Sequence, residues 1–241
     1  MNSFLMLGQS NMAGRGDFGE VEEINNPLCK MLRNGKWIAM SEPINPDRGI
    51  FGYFHSGVGL AASFADEYAK YFNEEIGLIP CADGGTAIKQ WQPNELLFDN
   101  AVAQAKLAQR TSEIVGILWH QGENDSKNFE DVELYRERFL NLFVHLFKEL
   151  NLPKETPIII GELGEFMCNW ENGECKDIKQ KCKYVQEINA ILNNLSEELP
   201  CSAFVSAKGL TCKNDGIHFN SKSYREFGKR YFQAYLRAVK K

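Results

Sequence analysis

Short, nearly continuous apolar runs alternate along this chain with longer stretches whose apolar residues recur every three or four positions. The short runs are Phe4–Leu7, Ile76–Ile79, Ile114–Trp119, Ile158–Ile160 and Ala203–Val205. Each predicts a brief parallel strand covered on both faces. Leu60, Phe64, Tyr68 and Phe72 step by four, and Val132, Tyr135, Phe139, Leu142, Phe143, Leu146 and Leu150 step mostly by three and four. Both patterns predict helices with one apolar stripe. A last helix carries Tyr224, Phe227, Phe232 and Leu236, with Ser221 at the expected N-cap. Five strands interleaved with helices predict a three-layer α/β/α sandwich with a mostly parallel five-stranded sheet. No linker or repeat divides the chain, so residues 1–241 are expected to form a single domain. Residues 8–56 lack helical period, and Asn34-Gly35 between Lys30–Arg33 and Lys36–Met40 predicts a small hairpin there.

Ligands of such sheets bind beyond the carboxyl ends of the strands. The loops to read are therefore Gly8–Gly16, Cys81–Trp91, His120–Ser126, Glu162–Trp170 and Ala207–His218, which are rich in polar residues and glycine. In the first, Ser10 follows the strand directly. Alone it reads as a cap or turn residue, because a serine hydroxyl is a weak nucleophile without a neighbouring base. Near the far end of the chain, Asp215-Gly216-Ile217-His218 puts a carboxylate three residues before a histidine. That spacing lets the carboxylate hold the imidazole Nδ1–H and leaves Nε2 as a base. Ser10, Asp215 and His218 thus form a candidate triad. Gly84-Gly85-Thr86 after the second core strand and Gln121 or Asn124 after the third are candidate oxyanion donors. His120 is a rival base, but strand alternation turns it away from Gln121; His55 and His145 have no argued role.

Charge narrows the partner. The net charge is −5 and no basic run marks a nucleic-acid surface, so a neutral or mildly cationic partner is expected. No apolar run approaches the ~20 residues that span a bilayer, so no membrane partner is expected. Phe4–Leu7 is too short and lacks the basic lead of a signal peptide, which predicts a cytoplasmic chain or a secreted one already trimmed. Seven cysteines include Cys168, Cys175 and Cys182 at seven-residue spacing. No zinc spacing is matched, and reduced thiols are expected. Oligomeric state is not legible.

The blocks GQSNMAG, GGTAIKQW, WHQGEND and DGIHFNSKSYREFG, spread in order from residue 8 to residue 228, resemble those of the SGNH (GDSL-like) hydrolase superfamily. The branch they resemble is carbohydrate esterase family 6 with its relatives, the acetyl xylan esterases and sialate O-acetylesterases. The resemblance implies a flavodoxin-like sandwich, no metal or other cofactor, and hydrolysis of acetyl esters on a small carbohydrate. By position it makes Ser10 the nucleophile, His218 the base and Asp215 its orienting acid. Ser10 N–H, Gly85 N–H and an amide side chain would form the oxyanion hole. The resemblance favours Gln121 for that side chain, with Asn124 second. Glu123 would orient loops or offer His218 another carboxylate. Gln9, Asn11, Arg15, Trp91 and Trp170 are candidates for the sugar or for support behind it. A lipase elbow fits less well, because position 12 is Met where G-x-S-x-G requires Gly. A thioesterase or short-chain lipase and a catalytically idle sugar-binding domain are the rival expectations.

Overall fold

The apolar runs are strands buried on both faces: every residue of Ser3–Gly8 and of Ile76–Pro80 is out of solvent. The computed structural model describes residues 1–47, 55–167 and 182–240. Its strands are β1 (Asn2–Gly8), β2 (Cys29–Arg33), β3 (Lys36–Ala39), β4 (Ile76–Pro80), β5 (Glu113–His120), β6 (Ile158–Gly161) and β7 (Ser202–Val205). They make one sheet in the order β3-β2-β4-β1-β5-β6-β7, parallel except for the β2–β3 pair.

The sheet has seven strands where five were expected. The extra two are the Asn34-Gly35 hairpin, whose turn residues take φ of 49° and 72° as a tight two-residue turn requires. Its first strand buries Cys29, Met31 and Leu32 and pairs in parallel with β4, so the hairpin extends the main sheet. Mostly exposed β3, with Lys36 at its start, closes that edge.

Among the described residues six helices complete the layers: α1 (Ser10–Ala13), α2 (Leu60–Phe72), α3 (Leu96–Ala108), α4 (Phe129–Leu150), α5 (Val185–Glu198) and α6 (Ser221–Ala238). Strand alternation divides the core. Phe4 and Met6 face a cluster with Phe64 of α2 and Phe232 of α6, while Leu5 and Leu7 face Phe139 of α4 and Leu192 of α5. The cap of α6 is Asn220, not Ser221: its side chain accepts from Ser223 N–H at 2.9 Å. Ser221 is the first helical residue and donates its hydroxyl to the Asp17 carbonyl instead.

Counted along the five parallel core strands, the order is 2-1-3-4-5, which places the topological switch point between β1 and β5. Gly8 and His120 end those strands level with each other. The loops that leave them are the ones that carry Ser10 and Gln121–Asn124.

Candidate active site

Close approach at the switch point depends on Gly8. Its φ is 134°, and a Cβ there would lie 2.0 Å from the His120 carbonyl oxygen. The chain then turns at once, Gln9 N–H bonding that same carbonyl at 3.0 Å, and Ser10 opens the single turn of α1. The first N–H groups of a helix have no partner within it, so the Ser10 amide is a free donor by position.

Opposite Ser10 lies the loop before α6, folded back by the Lys213 N–H to His218 carbonyl bond and turned at Gly216, φ 66°. It aims His218 Nε2 at Ser10 Oγ, 2.8 Å away. Nδ1 stands 2.8 Å from Asp215 Oδ2, and a carboxylate only accepts, so Nδ1 holds the proton and Nε2 is the acceptor. Asp215 Oδ1 takes the N–H groups of Ile217 and His218, both at 2.9 Å. Partial burial pushes this carboxyl up, but the imidazole and those two amides outweigh it and hold Asp215 at about 2. The structure thus joins Ser10, His218 and Asp215 in one chain of hydrogen bonds.

Beneath them Asn11 is a hub. Fully buried, it donates to Glu123 Oε1 at 2.6 Å and to the Ile217 carbonyl at 3.2 Å. Its oxygen accepts from Phe219 N–H at 3.3 Å and from the Tyr224 hydroxyl at 2.6 Å. One side chain therefore ties the serine turn to the β5 loop and to both neighbours of His218. Glu123 does not reach His218; its imidazole neighbour is His120, with Oε1 3.6 Å from Nε2, an ion-pair distance rather than a hydrogen bond.

Gln121 also lies beneath the site. Its Nε2 has Asp125 Oδ2 at 2.5 Å, the Thr86 carbonyl at 2.9 Å and Gln9 Oε1 at 3.3 Å. Its Oε1 accepts from the Tyr135 hydroxyl at 3.0 Å. Burial pushes Asp125 up to about 6, against the bonds from Gln121 and Ile88 N–H that favour its charge. Trp91 is likewise buried, its indole N–H on Thr86 Oγ1 at 3.1 Å and its ring edge-on to Trp119. It props the Gly84-Gly85-Thr86 loop from behind. Arg15 braces the other side: Nη1 donates to the Gly14 carbonyl at 2.7 Å, and a Cβ on Gly84 would come within 2.5 Å of Nη2. Burial lowers this guanidinium, while Asp47 and Asp83 oppose the shift.

A cavity of about 150 Å³ opens beside Ser10 and His218, lined also by Gln9, Gly85, Asn124 and Lys127. Gly85 has φ 73° and open space where its Cβ would stand. Lys127 Nζ holds the Asn124 side-chain oxygen, which leaves the amide nitrogen of Asn124 as its donor end. Trp91, Arg15 and Gln121 do not line this cavity. Cys182 does, with Sγ 3.3 Å from the Glu123 carbonyl; Trp170, Cys168 and Cys175 lie outside the described residues. Lys127, Cys182 and Tyr224 are contributors that sequence reading missed. Tyr224 left a trace as an apolar-face position of α6, and Cys182 as the last of three cysteines at seven-residue spacing. Among the described residues no group of side chains could hold a metal ion.

A serine bonded to an imidazole that is itself held by a carboxylate, at the edge of a small cavity, is an arrangement that can generate an alkoxide-like nucleophile. The family model described as carbohydrate esterase, sialic acid-specific acetylesterase matches residues 1–237. The chain belongs to this family. A probable carbohydrate esterase of Arabidopsis thaliana is 29% identical over 252 residues, spanning 97% of this chain and 89% of the relative. The X-ray structure of an Arabidopsis thaliana protein superposes with a TM-score of 0.81 at 28% identity, over 98% of each chain. NanS shares the fold at TM-score 0.73 and 17% identity, covering 98% of this chain and 96% of its own. A carbohydrate acetylesterase of Xanthomonas citri does so at 0.67 and 19%, over 99% of this chain but 56% of that one. The sialate O-acetylesterase-like branch of the hydrolase superfamily, expected from the four sequence blocks, is the one these matches support.

Proposed function

We propose that this carbohydrate esterase removes O-acetyl groups from small carbohydrates through an acetyl-serine intermediate. The observation that carries the proposal is the 2.8 Å contact between His218 Nε2 and Ser10 Oγ at the edge of the cavity. His218 takes the Ser10 proton as Oγ attacks the acetyl carbonyl carbon. The tetrahedral oxyanion is met by the Ser10 and Gly85 N–H groups and by the Asn124 side chain. His218 then gives its proton to the departing sugar oxygen. Water, deprotonated by the same imidazole, attacks the acetyl-serine, and collapse returns acetate and the free serine. Throughout, Asp215 keeps Nδ1 protonated and stabilises the imidazolium.

Asn124 takes the amide role in place of Gln121 because it borders the cavity and has its nitrogen available, whereas the Gln121 nitrogen already faces three acceptors. A cavity of about 150 Å³ suits an acetyl group, and no long apolar channel leaves it among the described residues, which disfavours a lipase. The intact serine–histidine–aspartate chain disfavours an idle binding domain.

Acetate release from 4-nitrophenyl acetate, acetylated xylo-oligosaccharides and O-acetylated sialic acid tests the reading. Wild type should release acetate from at least one acetylated sugar, and Ser10→Ala should release none above background. Equal activity in both proteins would remove Ser10 from the chemistry, and inactivity of wild type on every sugar ester would remove the carbohydrate.

A further inference from the structure

The stripe that α4 turns to the sheet is not its only apolar stripe. Leu140, Val144 and Phe147 follow at spacings of four and three on a neighbouring face, where Leu140 and Phe147 are only partly buried against the core. Val144 is 66% exposed. With Leu152 and Leu199 these residues line a groove of about 670 Å³, within the ~300–1,000 Å³ of small-ligand sites. The groove borders Ile158 at the amino end of β6, whereas Ser10 lies beyond the carboxyl ends of the strands. It is a separate place on the molecule.

Its charge is polarised. The lining contains two cations, Lys148 and Lys154, and no carboxylate, although the chain as a whole is acidic. Of the neighbouring acids, Glu149 is engaged by Lys106 at 3.2 Å and Glu198 by Arg136, while Glu155 follows Lys154 but does not line the groove. Both cations come from the last turn of α4 and the loop after it. Leu140 lies eight residues earlier, about 12 Å back along the helix. The lining thus combines two cations and the polar Asn151 and Thr156 with an otherwise apolar wall, which matches a molecule with an anionic head and an alkyl tail.

We propose that this groove binds a small amphiphilic carboxylate, its alkyl chain along Leu140, Val144 and Phe147 and its carboxylate beside Lys148 and Lys154. The pairing uses each part of the lining: apolar burial supplies affinity, and the two ammonium groups fix the direction of the ligand.

Isothermal titration of the full chain with dodecanoate, below its micelle concentration, tests this, with butyrate as the tail-less control. Dodecanoate should bind saturably at one site with a negative heat-capacity change, and butyrate should not bind. Val144→Glu sets a carboxylate in the apolar stretch, and Lys148→Glu with Lys154→Glu reverses the head site. Each should weaken dodecanoate binding by at least about tenfold while the melting temperature holds, since all three positions are exposed. Saturating dodecanoate should leave 4-nitrophenyl acetate hydrolysis unchanged. Absence of saturable binding, equal affinity in Val144→Glu, equal binding of butyrate, or competition with 4-nitrophenyl acetate would each overturn the proposal.

Discussion

Two histidines in this molecule stand three residues from a carboxylate, and their surroundings make them opposites. His218 and Asp215 sit on an open loop, with side chains 17% and 42% exposed, 2.8 Å apart. His120 and Glu123 are sealed at 0% and 3%, 3.6 Å apart. The ring of His120 packs edge-on to Phe219 and Phe227, and its Nδ1 faces the Tyr231 hydroxyl at 3.2 Å. Only the His218 ring has a nitrogen aimed at Ser10. Spacing brings an acid and an imidazole together in both places. What decides whether the pair can move a proton to substrate is where the second ring nitrogen points and whether substrate can reach it. The buried pair serves the open one from below, because Glu123 holds Asn11 and Asn11 holds both neighbours of His218.

The sharpest way to break this contrast is to remove each ring in turn. His218→Ala should lower kcat on the order of 10⁶-fold, as loss of a triad member does elsewhere. His120→Asn should leave kcat nearly intact and lower stability by about 1–3 kcal/mol, the scale of a lost buried polar contact. Steady-state kinetics and denaturant melts read the two effects separately; reversed outcomes would exchange the roles of the pairs. Next comes Asp215→Asn, which should cost about 10⁴-fold in kcat by releasing the Nδ1 tautomer.

A smaller effect separates the two amides. Asn124→Ala should lower kcat by about 10²–10³ with KM little changed, the loss expected of one oxyanion donor. Gln121→Ala should act mainly on the melting temperature, since Gln121 bonds Asp125, Thr86 and Tyr135 and does not border the cavity.

The smallest effects appear in the pH dependence of stability, where Asp215 and the buried Asp125 beneath the site have opposite signs. Asp215 is at about 2 when folded against an ordinary 3.8, so its bonds stabilise the fold above about pH 4 and are lost as pH falls through about 2. Buried Asp125 is at about 6 against the same 3.8, so its contribution is full below about pH 4 and is lost as pH rises through about 6. Melting temperatures from pH 2 to 7 should therefore show Asp215→Asn converging with wild type at the acid end. Asp125→Asn should flatten the decline between pH 4 and 6.

Much of this arrangement was legible in the chain, and the exceptions have physical causes. The five core strands stood out because strands covered on both faces have no polar interruption. The hairpin was legible from Asn34-Gly35, but its place in the sheet was not, since the β2–β4 pairing is a tertiary contact. Helix α3 escaped notice because its buried face relies on Ala101, Ala105 and Ala108, which give little hydrophobic contrast. At the site, Ser10, Asp215 and His218 were visible as chemistry at telling spacings. Which of Gln121 and Asn124 borders the cavity was not, because it depends on how the loop packs after Gly122, φ 141°, against Ile188. Trp91 could be read as a sugar contact or as packing, and only the tertiary structure shows it supporting Thr86 from within the core.

The most direct test of the central claim is reaction with a small alkyl fluorophosphonate followed by peptide mass spectrometry. The account predicts one adduct, on Ser10, formed by wild type and His120→Asn alike and nearly abolished in His218→Ala. An adduct on another residue, or equal labelling of Ser10 without His218, would contradict it.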